Sequence, residues 1–229
     1  MKNKRAEYEK MISGKLYNCT DRYITLKHAR ALILADRFNR TRIWNLPYRD
    51  HLLKRLIPNH GKKFFILNNL RVEYGCNITF GDDFFANFDC ALLDVAPIKI
   101  GNSVMFGARV TIATPVHPLL AQERIIQQYP TGYHGLEYAK PVTIGDGVWI
   151  ASNVTICGGV TIGKNTIVAA GSVVTRDLPD NSLCAGVPCR VLRKLDEDDR
   201  INVWDTYCKE ELPLSVRAKS KLNDSVSNG

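Results

Sequence analysis

Five histidines, His28, His51, His60, His117 and His134, are the side chains of this 229-residue chain best suited to move a proton near neutral pH. His117, followed by Pro118, stands in a stretch from Thr114 to Lys140 that is rich in Pro, Gln, Tyr and His. A histidine so placed can take the proton of a hydroxyl, which is a poor nucleophile until relieved of it. The plainer alternative is a solvated loop residue. The seven cysteines, Cys19, Cys76, Cys90, Cys157, Cys184, Cys189 and Cys208, are odd in number and include no CxxC pair. That argues against a disulfide framework and a zinc ribbon, and they read as reduced residues used mostly for packing.

The frame that must position such residues is announced by a repeat of six. Ile144, Ile150, Ile156, Ile162, Val168 and Val174 follow one another at six-residue spacing without a gap. Each precedes a small or modest residue: Gly145, Ala151, Cys157, Gly163, Ala169 and Thr175. Val148, Val154, Val160, Thr166 and Ser172 fill the position four further on. In an α-helix, six steps would turn each successive apolar residue by about 120°, so no helix keeps these on one face. The same pattern opens earlier with Phe80, Ala86 and Leu92 and, after an eight-residue step, Ile100, Phe106 and Ile112. A solenoid satisfies it: each unit is a short strand, the apolar residue points inward, and the small residue sits where backbones pack tightly at a corner. Successive coils then pair at the strand spacing of about 4.8 Å.

Upstream, residues 4 to 57 read as helical, because Leu26, Ala29 and Ile33, then Leu34 and Phe38, recur at helical steps behind a cap at Thr20 or Asp21. Leu52, Leu53, Leu56 and Ile57 predict a short helix bracketed by Pro47 and Pro58, with Asn59, His60 and Gly61 as a linker. The expected organisation is an N-terminal helical segment over 1–60, a mainly β solenoid over 61–195 with an extruded loop over 114–140, and a C-terminal helix and tail over 196–229. Val203, Trp204 and Tyr207 mark that last helix, and Ser225 to Gly229 should fray.

The formal net charge of +8 is spread without a basic run dense enough to favour nucleic acid. No apolar run approaches the length of a membrane span, and the charged start from Met1 to Lys10 lacks the apolar core of a secretory signal. The expectation is a cytoplasmic protein with neither a nucleic-acid nor a membrane partner.

Outside the repeat, several segments carry more specific information: Met11-Ile12-Ser13-Gly14-Lys15-Leu16-Tyr17, Asp83-Phe84-Phe85-Ala86-Asn87-Phe88, Leu93-Asp94-Val95-Ala96-Pro97, Gly135-Leu136-Glu137-Tyr138 and Ala185-Gly186-Val187-Pro188-Cys189-Arg190. With these the chain, to about Arg193, resembles the hexapeptide-repeat acyltransferases, in particular the maltose and galactoside O-acetyltransferase branch. The resemblance implies a left-handed parallel β-helix, a homotrimer with active sites between subunits, and acetyl transfer from acetyl-CoA to a hydroxyl of a small sugar. It implies His117 as general base, Glu137 as its orienter through carboxylate or carbonyl, and the Ser152 backbone N–H as the donor to the oxyanion. For the cofactor it carries over to Trp149, Ser152, Ala170, Thr175, Arg176, Arg190 and Arg193, guanidinium groups being suited to the phosphates of CoA. For the acceptor it carries over to Glu73, Phe85, Asn87 and Asp94. Phe85 stands where the galactoside enzymes have tyrosine, Glu73 where they have serine, and Val95 where they have a second acid; their amino-terminal aspartate falls at Asn18 or Cys19, with Asp21 close by. Glu73 and the Asp94-Val95-Ala96-Pro97 run are closer to the maltose-type enzymes.

An amino sugar or a xenobiotic is the alternative acceptor. A zinc hydratase on a similar coil would need three histidines around the metal, whereas only His117 and His134 lie in or near the coil, so no metal is expected. A noncatalytic solenoid scaffold is the remaining alternative.

Overall fold

The computed structural model describes residues 5–209. The expected fray from Ser225 to Gly229 lies outside the described residues. Residue contacts divide the chain into two compact units, Met1–Leu192 and Arg193–Gly229.

The six-residue period becomes a β-solenoid of about six turns with three parallel faces. The first face stacks Asn59–His60, Ile78–Phe80, Ile98–Ile100, Val142–Ile144 and Thr161–Ile162. The second stacks Phe65–Ile66, Phe85–Ala86, Met105–Phe106, Trp149–Ile150, Ile167–Val168 and Ser182–Gly186, followed by Cys189–Lys194. The third stacks Arg71–Val72, Ala91–Leu93, Thr111–Ala113, Thr155–Cys157 and Val173–Val174. Register is kept by the period itself, since Ile100 pairs with Ile144, Phe106 with Ile150 and Ile112 with Ile156.

Two residues of each unit point inward. Ile144, Ile150, Ile156, Ile162, Val168 and Val174 point inward from the three faces in turn, and Val148, Val154 and Val160 form a second inward set, all at most 2% exposed. Thr166 and Ser172 continue the second set without orphaning a hydroxyl. Thr166 Oγ1 donates to the Pro179 carbonyl at 2.6 Å and Ser172 Oγ to that of Ala169 at 2.7 Å. Corners demand a left-handed backbone three residues after the inward one, and Asp83, Asp89, Asn153 and Asn165 occupy it with φ between 54° and 63°. Asn and Asp tolerate that region better than other side chains. Gly101 is required by crowding instead: a Cβ there would lie 2.7 Å from the Asp146 nitrogen and 2.8 Å from the Gly145 carbonyl carbon of the next coil. Among the described residues six cysteines are in no disulfide; Cys90, Cys184 and Cys189 are buried in the coil, as packing residues would be.

Three helices close the first coil: α1 (Ala6–Ile12), α2 (Arg22–Arg40) and α3 (Leu46–Leu56). Asp21 caps α2, accepting from the Tyr23 and Ile24 amides. One expectation needs correcting, since α2 buries Ile24, Ala31, Leu34, Ala35 and Phe38 while Leu26 and Ile33 are 61% and 54% exposed. Two apolar stripes compete on this helix, and its phase is set by what it lies against. Asn39 bonds the Leu70 backbone through both amide atoms, and buried Arg49 of α3 donates to the Phe38, Thr41 and Ile66 carbonyls while lying 4.0 Å over the Phe38 ring. Pro47, expected before the third helix, falls within its first turn, where its missing N–H costs nothing.

The period breaks between the third and first faces. There residues 114–140 leave the coil as Pro115–Val116, a helical turn Ala121–Arg124, a hairpin of Gln127–Tyr129 with Gly132–His134, and a return strand Leu136–Ala139. Pro115–Val116 and an unexpected strand, Tyr17–Asn18, both pair antiparallel with the return strand. In the second unit Asp196 caps a 3-10 turn at Glu197–Asp199, and Val203–Lys209 is helical where Val203, Trp204 and Tyr207 pointed to a helix.

Candidate active site

The extruded strands bring His117 and Glu137 together. Val116 pairs with Tyr138, so the next residue in each direction places His117 opposite Glu137, with Nδ1 3.8 Å from Oε1. That separation is an electrostatic contact, longer than a hydrogen bond. It leaves the far ring nitrogen, Nε2, for a substrate, and His117 is half-exposed. The other carboxylate oxygen of Glu137 accepts from the hydroxyl of Tyr17 at 3.0 Å, and Tyr17 pairs with Glu137 across the sheet. Tyr17 is buried, and burial together with the neighbouring carboxylate holds its phenol far above its usual pKa, so it stays a proton donor. The chain His117, Glu137, Tyr17 is thus made by two strands of the extruded segment and one from the helical region. Sequence reasoning missed Tyr17 as a working residue; it lay inside a matched segment, but a pairing across 120 positions leaves no local signal.

Pro118 also walls a cleft of about 640 Å³ together with Leu16, Leu120, Tyr129, Leu136 and Tyr138. His134 is turned elsewhere. Its ring stacks on Tyr129 at 4.8 Å and bonds Thr131, so it and His117 do not converge as metal ligands would.

Of the expected cofactor residues, Trp149, Ser152 and Ala170 lie at or beside the corner between the second and third faces. Trp149 pairs with Ile167 on the second face and is 46% exposed, and Ser152 and Ala170 follow at the corner. The Ser152 carbonyl accepts from Gly171 at 3.0 Å and its hydroxyl from Ala108 at 3.2 Å, while its own N–H has no acceptor among the described residues. A Cβ on Gly171 would meet nothing within 4 Å, so the wall beside Ala170 is open. Thr175 and Arg176 are exposed at the opposite edge of the third face, and Arg190 is exposed on the last strand. In the second unit Arg193 is committed to Asp199 through two bonds of 2.8 and 2.6 Å.

The acceptor set divides in the same way. Asn87 lies at the second–third corner beside Phe85, whose ring stacks on Phe65 at 6.4 Å. Glu73 lies at the third–first corner, its carboxylate 2.9 Å from His28 Nε2. Asp94 requires a correction. It is wholly buried, and its carboxylate accepts from the amides of Glu73 (3.1 Å), Tyr74 (2.8 Å) and Asn77 (3.1 Å). It therefore holds the turn at residues 73–77 and presents nothing to a sugar. Burial pushes its pKa up to about 6 against the opposing pull of those backbone donors. At the amino end Asn18 is occupied by Thr20, Cys19 leans on the Gly135 carbonyl, and Asp21 is the α2 cap.

Comparison with known proteins follows the same lines. A model of the bacterial transferase hexapeptide (six repeats) matches residues 141–176, and one of the maltose acetyltransferase hexapeptide capping motif matches residues 10–61. A galactoside O-acetyltransferase of Lactococcus lactis is 36% identical over 197 residues, covering 86% of this chain and 91% of its own. The crystal structure of a maltose O-acetyltransferase from Clostridium difficile superimposes with a TM-score of 0.78 at 42% identity, over 83% of this chain and 98% of that one. A hexapeptide-repeat acetyltransferase from Vibrio cholerae, crystallised with acetyl-coenzyme A, has a TM-score of 0.74 at 34% identity, over 83% of this chain and 99% of that one.

Proposed function

This chain belongs to the hexapeptide-repeat acetyltransferases of the maltose and galactoside type, and from that membership we propose that it moves an acetyl group from acetyl-CoA to a hydroxyl of a small sugar, with His117 as general base. The observation that carries the reading is the line of His117, Glu137 and Tyr17. Glu137 faces Nδ1 and favours the tautomer that keeps Nε2 unprotonated, and Tyr17 fixes Glu137. The acceptor oxygen bonds to the acetyl carbonyl carbon while its proton passes to Nε2. The carbon–sulfur bond then breaks, and the same proton goes to the departing sulfur. Charge on the carbonyl oxygen meets the unengaged N–H of Ser152.

His117 and Ser152 lie on opposite edges of the third face, so they meet most simply when the edge of one copy faces the other edge of a second. This favours a homotrimer with intersubunit sites. The second face offers an apolar surface for such packing, since Phe65, Met105 and Trp149 are each at least 41% exposed, whereas the first face presents Thr79, Lys99, Thr143 and Thr161. Phosphates of CoA would be held by Arg176 and Arg190, with Thr175 beside them and Trp149 and Ala170 along the pantetheine arm. Phe85, Asn87 and Glu73 are left to recognise the acceptor.

Thiol release from acetyl-CoA across glucosides, galactosides, maltose and amino sugars tests the reading; turnover on none would leave a scaffold. Arg190→Ala should raise KM for acetyl-CoA about tenfold or more, the worth of one charge-assisted bond, with sugar KM unchanged. An unmoved KM for acetyl-CoA would remove its phosphate role. Tyr17→Phe should lower kcat about tenfold at constant sugar KM, through the lost bond to the Glu137 carboxylate. Equal kcat in the variant would make Tyr17 a packing residue.

A further inference from the structure

At the other end of the solenoid from Arg176 and Arg190, α2 and α3 enclose a pocket of about 230 Å³ against the first coil. Four cations line it: Lys27 and Arg30 from α2, Lys54 and Arg55 from α3. Its floor is apolar and closed, with Ala31, Leu34 and Leu56 at most 4% exposed.

Nothing local neutralises most of this charge. The sole acid on α2 is Asp36, which pairs with Arg40 at 2.9 Å, and the sole acid on α3 is Asp50, which pairs with Lys54 at 2.6 Å. Arg30 and Arg55 have no acidic partner among the described residues. Lys27 is held in place from below, donating to the Cys76 sulfur at 3.4 Å with its ammonium 4.7 Å from the Tyr8 ring centre. The free carbonyls ending α3 favour the cations beside them, so repulsion among the side chains is tolerated but not discharged. Three cations without an acidic partner around an apolar concave floor make a site of focused positive potential. Its small volume suits one compact dianion with an organic stem; a lipid surface or a nucleic-acid track would require an open face.

We propose that this pocket binds a small molecule bearing a phosphate or pyrophosphate group, with Arg30 and Arg55 as fork donors and Lys27 as a fixed point charge. The site is separate from the acetyl-CoA groove and independent of the reading of that groove. It is tested by calorimetric titration of the full chain with inorganic pyrophosphate, without CoA, whose own pyrophosphate would compete for the pocket. The wild-type chain should bind, Arg30→Gln/Arg55→Gln should weaken binding at least about tenfold through two lost charge-assisted bonds, and Arg176→Gln/Arg190→Gln should leave it unchanged. Arg30 and Arg55 are exposed, so the double variant should keep the wild-type Tm. No binding by the wild-type chain, binding that survives Arg30→Gln/Arg55→Gln, or loss in Arg176→Gln/Arg190→Gln would each overturn the site.

Discussion

Replacing His117 by alanine is expected to lower kcat for acetyl transfer at least about a hundredfold, the usual worth of a positioned general base, with little change in KM for acetyl-CoA. The side chain is half-exposed and packs into no core, so the variant should fold as the wild type does. The loss should fall on the chemical step because the acceptor hydroxyl retains its proton without Nε2 to take it. Steady-state rates with the best sugar of the panel, alongside melting curves, separate this from unfolding. Near-normal turnover by a well-folded H117A would sink the mechanism and pass the role to another group.

Asp94→Ala should act on stability. The substitution leaves the amides of Glu73, Tyr74 and Asn77 without their acceptor inside a buried turn, at about 1–3 kcal/mol for each donor left unpaired, so a total loss of several kcal/mol is expected. The measurement is the Tm or the denaturant midpoint. If Asp94 instead bound the sugar, the variant would melt normally and show a raised acceptor KM. The carboxyl also gives a pH signature. Its pKa is about 6 in the folded chain against about 3.9 unfolded, so the native state holds the proton more tightly. The stability it contributes is complete below pH ~4 and falls as pH rises towards about 6. The Tm gap between wild type and D94A should therefore narrow between pH 4 and pH 7, and a gap that widens would contradict the buried assignment.

Much of the architecture is legible before any coordinates. A spacing of six that turns Ile144 to Val174 inward on one face after another excludes helices by geometry, and each coil repeats the same local decision, so errors do not accumulate. Asp21 as a cap and the break at residues 114–140 are local signals of the same kind. The α2 face was misread because Leu26 and Ile33 keep helical spacing as well as Ile24, Ala31 and Phe38 do. Asp94 was misread because a carboxylate that satisfies a turn and one that grips a sugar look alike in a string of letters.

What the sequence determined by itself is the coil: repeated short-range contacts, inward methyl groups and corner residues that accept a left-handed backbone. It also marked His117, through matched segments outside the repeat. Only the tertiary structure decided that Tyr17 reaches Glu137, that Asp94 is consumed by backbone amides, that the expected site residues divide between two edges of one face, and that four cations surround a pocket between α2 and α3. Those facts depend on pairings between distant segments, which no local period encodes, because a long-range contact is chosen by the whole packed chain and not by the residues beside it.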